Sequence, residues 1–188
     1  LWDRLADQER DYPSDSLLVS GVKREDVEQK YANWLSILDM VDLKTSEKAI
    51  RRLYDMALAC ERKDSTSNVF ETFEALADKY MYDPNSPMRN EEYYLHYADC
   101  LSSYEGFSQE ERDKYAARAE GCALNRMGQK AADFRFADNR GRIHTLHGIK
   151  APYTLLFFSN PGCDACLNII NMLKDEPRIS EMISDGVL

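Results

Sequence analysis

No apolar run in the 188 residues approaches the roughly 18 that a membrane-crossing helix needs. The first ten residues are charged and hold no hydrophobic stretch of the signal-peptide kind, as a processed chain would also read. A basic excess is missing as well. Lys plus Arg number 24 against 33 Asp plus Glu, the net charge is -9 and the pI is near 4.9. Binding a phosphate backbone takes a basic face, so nucleic acid drops out as a partner class. Cysteines are few: five in a chain long enough to bury a real core, which argues against a disulfide-built scaffold. What is present is an ordinary globular balance, 44% apolar and 30% charged, at odds with wholesale disorder.

The acidity sits in one part of the chain. Residues 1–126 hold 17 basic and 26 acidic side chains, whereas residues 127–188 hold seven of each. Tyrosine divides the same way, ten of the 11 falling before residue 127. The chain therefore reads as two domains, 1–126 and 127–188, joined near Gly128. The acidic surplus of the first reads as a solvated surface that aids solubility, not as a cation site.

The fold class is mainly α, with an N-terminal bundle of about five helices. Val27, Tyr31, Trp34, Leu35, Leu38 and Val41 recur at spacings of three and four, which makes one apolar helical face. Ile50, Leu53, Tyr54 and Ala57 repeat the pattern after Thr45-Ser46, candidate caps. A third stripe runs from Val69 to Tyr80 after Ser67. The fourth starts at Asn90, a good N-cap, and carries Tyr94, Leu95, Ala98 and Leu101. The fifth opens on Ser108-Gln109-Glu110-Glu111, the spacing of a capping box, ahead of Tyr115, Ala116, Ala119, Cys122 and Ala123. No motif repeats from helix pair to helix pair. Residues 1–22 are less periodic. Tyr12-Pro13-Ser14-Asp15 reads as a turn, so a loosely attached arm is expected.

Between the third and fourth stripes lies Tyr80-Met81-Tyr82-Asp83-Pro84-Asn85-Ser86-Pro87-Met88-Arg89-Asn90, with Tyr93 and Tyr94 close behind. Two prolines and an Asp/Asn/Ser cluster force a rigid turn. Tyr80, Tyr82, Tyr93 and Tyr94 then have two readings. They form a rim that grips a peptide, a glycan or a partner protein, or they pack back onto the bundle, as aromatics at helical spacing usually do.

After Gly128 the period changes. Phe134, Phe136 and then Ile143, Thr145 fit strands flanking Asp138-Asn139-Arg140-Gly141, a hairpin signal. Tyr153-Thr154-Leu155-Leu156-Phe157-Phe158 reads as a strand buried on both faces. It leads through Ser159-Asn160-Pro161-Gly162 into Cys163-Asp164-Ala165-Cys166 and an apolar helix toward Lys174. A cysteine that opens a helix faces unpaired backbone N–H groups and the positive end of the dipole. Both lower a thiol pKa, and the thiolate is the nucleophile. Cys163 is thus the attacking sulfur, and Cys166, one turn in, the shielded resolving one. Cys60, Cys100 and Cys122 lie in or beside apolar stripes and read as small buried hydrophobes.

Two competitors fall short. His144 and His147 with Cys163 and Cys166 resemble a zinc set, but an odd spacing on a strand points the two histidines to opposite faces. A cysteine-based peroxidase has a threonine and a proline at fixed spacing before its cysteine, and here Asn160-Pro161-Gly162 stands directly before Cys163. No cofactor and no metal are expected.

Gly128-Gln129-Lys130-Ala131-Ala132-Asp133-Phe134, the hairpin Asp138 to Leu146, and Leu155-Leu156-Phe157-Phe158 with Cys163 and Cys166 resemble the start of a thioredoxin-like domain. The kind is the periplasmic or membrane-anchored thiol-disulfide oxidoreductase, within the alkyl hydroperoxide reductase/thiol-specific antioxidant superfamily. Residues 1–126, through the Tyr80–Tyr94 stretch above all, resemble the helical domain of unknown function that precedes such modules in lipoproteins of Gram-negative bacteria.

The resemblance implies disulfide exchange with protein thiols or disulfides, with Pro161, Gly162, Asp164 and Ala165 bordering the substrate, and an upstream electron donor. It implies a periplasmic or cell-surface lipoprotein as parent, lipid-anchored. It also implies further strands and a cis-proline loop, yet no proline follows Pro177 and the sequence stops where the next strand is due. Residues 127–188 are thus expected to be a truncated, incomplete thioredoxin-like segment of hairpin, buried strand and CxxC helix, with impaired activity. Asp164 beside the thiolate opposes its ionisation, which favours a reducing couple. The alternative is a helical binding module on a degenerate thioredoxin-like platform.

Overall fold

The computed structural model describes Leu5 and residues 16–188. They fall into two compact units, Leu1–Ala131 and Ala132–Leu188. The turn expected at Tyr12-Pro13-Ser14-Asp15 lies outside the described residues.

The first unit opens on a small hairpin, β1 (Leu18–Val19) against β2 (Val22–Lys23), with Leu18 opposite Lys23 and Val19 opposite Val22. Its two-residue loop, Ser20-Gly21, has positive φ at both positions, the backbone twist a tight hairpin requires. Val19 is fully buried. Asn68 Nδ2 donates to the Leu18 carbonyl at 2.6 Å and Arg24 Nε to that of Ser16 at 3.1 Å. Residues 16–22 are therefore not a loose arm. The alternation that anchors them, Val19 and Val22 inward, is too short to register as periodicity.

Helix α1 (Arg24–Leu38) buries Val27, Tyr31, Leu35 and Leu38, spaced four, four and three. Val41, expected on that stripe, lies beyond the helix and is 42% exposed. Helix α2 (Leu43–Lys63) is capped by Asp42, whose side chain accepts from Thr45 N at 3.1 Å. The expected cap residue Thr45 is thus the donor. Ser46 faces inward, its hydroxyl donating to the Leu38 carbonyl at 3.0 Å. Helix α3 (Val69–Ala77) passes into one π-type turn, Asp78–Tyr82, closed by Asp83 N to Asp78 O at 2.9 Å. Helix α4 (Glu91–Ser102) has Asn90 as its cap, accepting from Tyr93 N at 3.2 Å. Helix α5 (Gln109–Ala123) carries a complete capping box between Ser108 and Glu111.

The core these helices enclose is largely aromatic. Tyr31, Tyr94 and Tyr115 are among its largest fully buried side chains. Tyr54 meets Tyr97 edge-on at 5.6 Å, and Phe107 stacks on Tyr115 at 5.7 Å.

The second unit pairs β3 (Arg135–Ala137) antiparallel with β4 (Ile143–Thr145), Phe136 opposite His144. Asp138 organises the loop: its carboxylate accepts from the backbone N–H of Arg140 and Arg142, from Arg142 Nε at 2.7 Å, and pairs with His144 Nε2 at 3.2 Å. Those bonds, the Arg142 backbone first, hold its pKa down at about 2. A 3₁₀ turn (Leu146–Gly148) follows, and His147 belongs to it, not to the strand.

The strand expected at Tyr153–Phe158 does not form. The run has no ladder partner, and Phe158 is 80% exposed. Tyr153 N donates to Val187 O at 3.0 Å, but β3 and β4 pair only with each other among the described residues. A strand exists only where a neighbour takes its backbone groups.

Helix α6 (Asp164–Asp175) is followed by α7 (Pro177–Ser184), which begins with proline in its first turn and Glu176 as its cap. Helix α7 ends in a Schellman motif: Val187 N reaches Met182 O at 2.8 Å, Gly186 N reaches Ile183 O at 3.2 Å, and Gly186 has φ +66°.

Candidate functional site

The CxxC element is built by its turn. In Asn160-Pro161-Gly162-Cys163, Cys163 N donates to Asn160 O at 3.3 Å and Gly162 has φ +77°. Proline second and a positive-φ glycine third are the demands of a type II turn. The turn delivers Cys163 to the N-cap of α6, where its Sγ accepts from Cys166 N at 3.2 Å and its carbonyl accepts from Leu167 N at 3.0 Å. Cys163 and Cys166 are joined by a disulfide, their Cα atoms 5.2 Å apart.

Cys163 and Cys166 are both half-buried. Pro161, Gly162, Asp164 and Ala165 are all exposed around them. The six residues singled out from the sequence thus form one continuous patch. Chemically it is a helix N-terminus whose capping atom is itself a cysteine sulfur. The positive end of the dipole stabilises the thiolate that would be left there on reduction.

The remaining cysteines are held differently. Cys60 and Cys122 are buried, and Cys100 is half-buried. Burial raises the pKa of all three, that of Cys122 to about 11. They are poor nucleophiles.

Of the two readings of Tyr80, Tyr82, Tyr93 and Tyr94, the packed one fits best, and the four turn inward to different degrees. Tyr94 is fully buried and Tyr93 is 7% exposed, so neither presents a face to a partner. Tyr80 and Tyr82 are half-buried. Three of the hydroxyls are held by carboxylates: Tyr80 by Glu28 at 2.9 Å, Tyr93 by Asp39 at 2.9 Å, Tyr94 by Asp78 at 2.6 Å. Tyr82 stacks on Tyr94 at 4.4 Å. The physical reason is the burial each ring gains at a cost of one hydrogen bond, which a nearby carboxylate supplies.

The sequence reading missed the group at the centre of this arrangement. Arg118 of α5 donates to both oxygens of Asp78 and lies 4.7 Å over the Tyr82 ring. Asp78 opens the π-type turn, and Tyr115 donates to Glu74 one helical turn earlier. Asp78 and Arg118 are 40 residues apart, and no local pattern links them.

Comparison with known proteins places these units. Residues 13–125 match the family model described as a domain of unknown function, DUF5106. A solved structure of a thioredoxin-like protein from Bacteroides caccae ATCC 43185 is 39% identical, with a TM-score of 0.76. The match covers 87% of this chain and 57% of that one, so the chain spans little more than half the length of its relative. No curated protein matches the chain.

Proposed function

The chain belongs to the DUF5106 family and shares a thioredoxin-like fold with a solved relative, and from that premise we propose that its parent protein is a thiol-disulfide oxidoreductase acting on protein thiols. The observation that carries the reading is the Cys163–Cys166 disulfide at the start of α6, with Cys163 as the capping residue.

In the reduced state the Cys163 thiolate attacks one sulfur of a substrate disulfide. A Cys163–substrate bond forms, and the substrate's other sulfur leaves as thiolate and takes a proton. Cys166, deprotonated, then attacks Cys163 Sγ. The mixed disulfide breaks, the second substrate thiol is released, and the pair is left oxidised. Two electrons have passed from the pair to the substrate, so a dithiol donor must restore it. Asp164, the first residue of α6, lies beside Cys163 and weakens the thiolate, which sets the couple toward the reducing side.

Residues 127–188 are taken as the N-terminal part of a thioredoxin-like domain. In support, no described residue of the second unit is buried, and the relative's chain is longer. The proposed setting is periplasmic or cell-surface, with a lipid anchor on the parent. An oxidising compartment suits a pair found as a disulfide.

The test is a redox titration of this chain across glutathione buffers, reading alkylated thiols by mass spectrometry. A single two-electron transition confined to Cys163 and Cys166 is expected, with Cys166→Ser trapping a mixed disulfide on Cys163. Failure of the pair to link in any buffer would sink the proposal.

A further inference from the structure

A groove of about 600 Å³ runs through the second unit. The run Tyr153–Phe157 forms one wall, and Ile170 and Leu173 of α6 with Ile183 of α7 form another. Past Thr154 the run alternates as a strand does: Leu155 and Phe157 line the groove, Leu156 and Phe158 do not. All of these side chains of the run are exposed, and the backbone from Thr154 to Phe158 has no ladder partner among the described residues.

One bond fixes how a neighbour would start. Tyr153 N donates to Val187 O at 3.0 Å. In an antiparallel pair either Val187 N returns a bond to Tyr153, or the residues before Val187 run alongside Thr154–Phe158. Neither holds. Val187 N donates to Met182 O at 2.8 Å, and the residues before it belong to α7 and its C-terminal cap.

A parallel ladder meets the same geometry. There a backbone N–H reaches the residue before its partner, so the partner of Tyr153 is Leu188. Paired residues share a face, and Leu188 lines the groove as Tyr153 does. Parallel neighbours also need a crossover of a dozen residues or more, usually helical, and α6 with α7 is such a connection. The solved relative carries further chain to supply the neighbour, since the match covers 57% of it.

We infer that in the parent protein the residues after Leu188 form a strand parallel to Tyr153–Phe158, with Leu188 opposite Tyr153, and close this groove. The inference rests on the reading of residues 127–188 as the N-terminal part of a larger domain. Side chains two apart share a face, so the second and fourth residues after Leu188 enter the groove and are apolar. Leu155 N and Phe157 N, on the same edge as Tyr153 N, donate to the new strand. The pairing also fixes the run that leads, through the Asn160–Cys163 turn, into the CxxC helix.

Amide hydrogen exchange, read residue by residue by NMR on this chain and on the parent protein, tests the strand. In this chain the Leu155 and Phe157 amides exchange freely, and in the parent they slow by about a hundredfold or more. Unslowed amides in the parent, or charged residues at both the second and fourth positions after Leu188, overturn the inference. So does slowing already present in this chain; if it grows with concentration, a second copy is the occupant. The thiol chemistry is read separately. Slowed amides in a parent whose Cys163 and Cys166 never link leave the strand standing and remove the oxidoreductase reading, and a working pair with free amides does the reverse.

Discussion

The two units follow opposite strategies with similar ingredients. The first packs its apolar residues into a closed aromatic core and answers several of its inward polar groups from within: Arg118 with Asp78, Tyr115 with Glu74, Ser46 with a helix carbonyl. The second is just as rich in large apolar side chains, yet Tyr153, Leu155, Phe158 and Met172 are each more than half exposed. Its order comes from local devices: the Asp138 loop, the capped starts of α6 and α7, and the Schellman end of α7. Capping and turn chemistry can fix the shape of a segment without a core, but each contributes only about 1 kcal/mol. Packing density supplies the cooperative stability, and only the first unit has it.

The contrast can be broken most forcefully in the core. Leu101, fully buried in α4, is expected to cost about 2–5 kcal/mol on change to Ala. Met172→Ala in α6, at a residue 72% exposed, should stay within about 0.5 kcal/mol. Urea denaturation followed by far-ultraviolet circular dichroism measures both, and equal losses would erase the distinction.

Next comes the polar answer to burial. Asp78→Ala removes the acceptor of both Arg118 and Tyr94 and should cost about 1–3 kcal/mol. Arg118→Ala should lose a comparable amount, with the double variant short of the sum because the two share one interaction.

A smaller effect tests whether the first unit also depends on its caps. Ser108→Ala removes one half of the capping box and should cost about 1 kcal/mol, read as a lower midpoint in the same denaturation.

The subtlest test is pH. Burial holds His96 below the ordinary histidine value of 6.5, with Glu47 partly opposing and Arg51 and Arg126 reinforcing. Below that value the unfolded chain takes up a proton that the folded one resists. The first unit should therefore lose stability as pH falls from 6.5 through the lowered folded pKa, and His96→Asn should flatten the loss. Asp138 in the second unit is also depressed, so its contribution is complete above the ordinary carboxylate range and disappears only as pH falls through about 2. Thermal melts between pH 7 and pH 5 should affect only the first unit through these two groups.

Legibility in the sequence followed the range of the interactions. Asn90, Ser108–Glu111 and the hairpin around Asp138 act over a few residues, and their residue types announce them. The placement of Cys163 at a helix start was equally local, fixed by Pro161 and Gly162 just before it. The misreadings arose where distant partners decide. Tyr153–Phe158 has the composition of a central strand, but composition cannot supply neighbours. Tyr93 and Tyr94 have the helical spacing that favours a core over a rim, but their acceptors, Asp39 and Asp78, are distant in sequence and no local pattern names them. Helix α7 has an equally local start, Glu176 as cap and Pro177 in the first turn.

The π-type turn at Asp78–Tyr82 gives this part of the chain an unusual tolerance in length. It holds one residue more than regular helix would need, and one residue of helix is about 100° of rotation. Deleting exposed Lys79 would remove that surplus and wind the turn back into ordinary helix, with Met81 still on the core side and Tyr82 still on the side of Tyr94. Within the regular helices the same loss of a single codon would turn every later side chain to a new face.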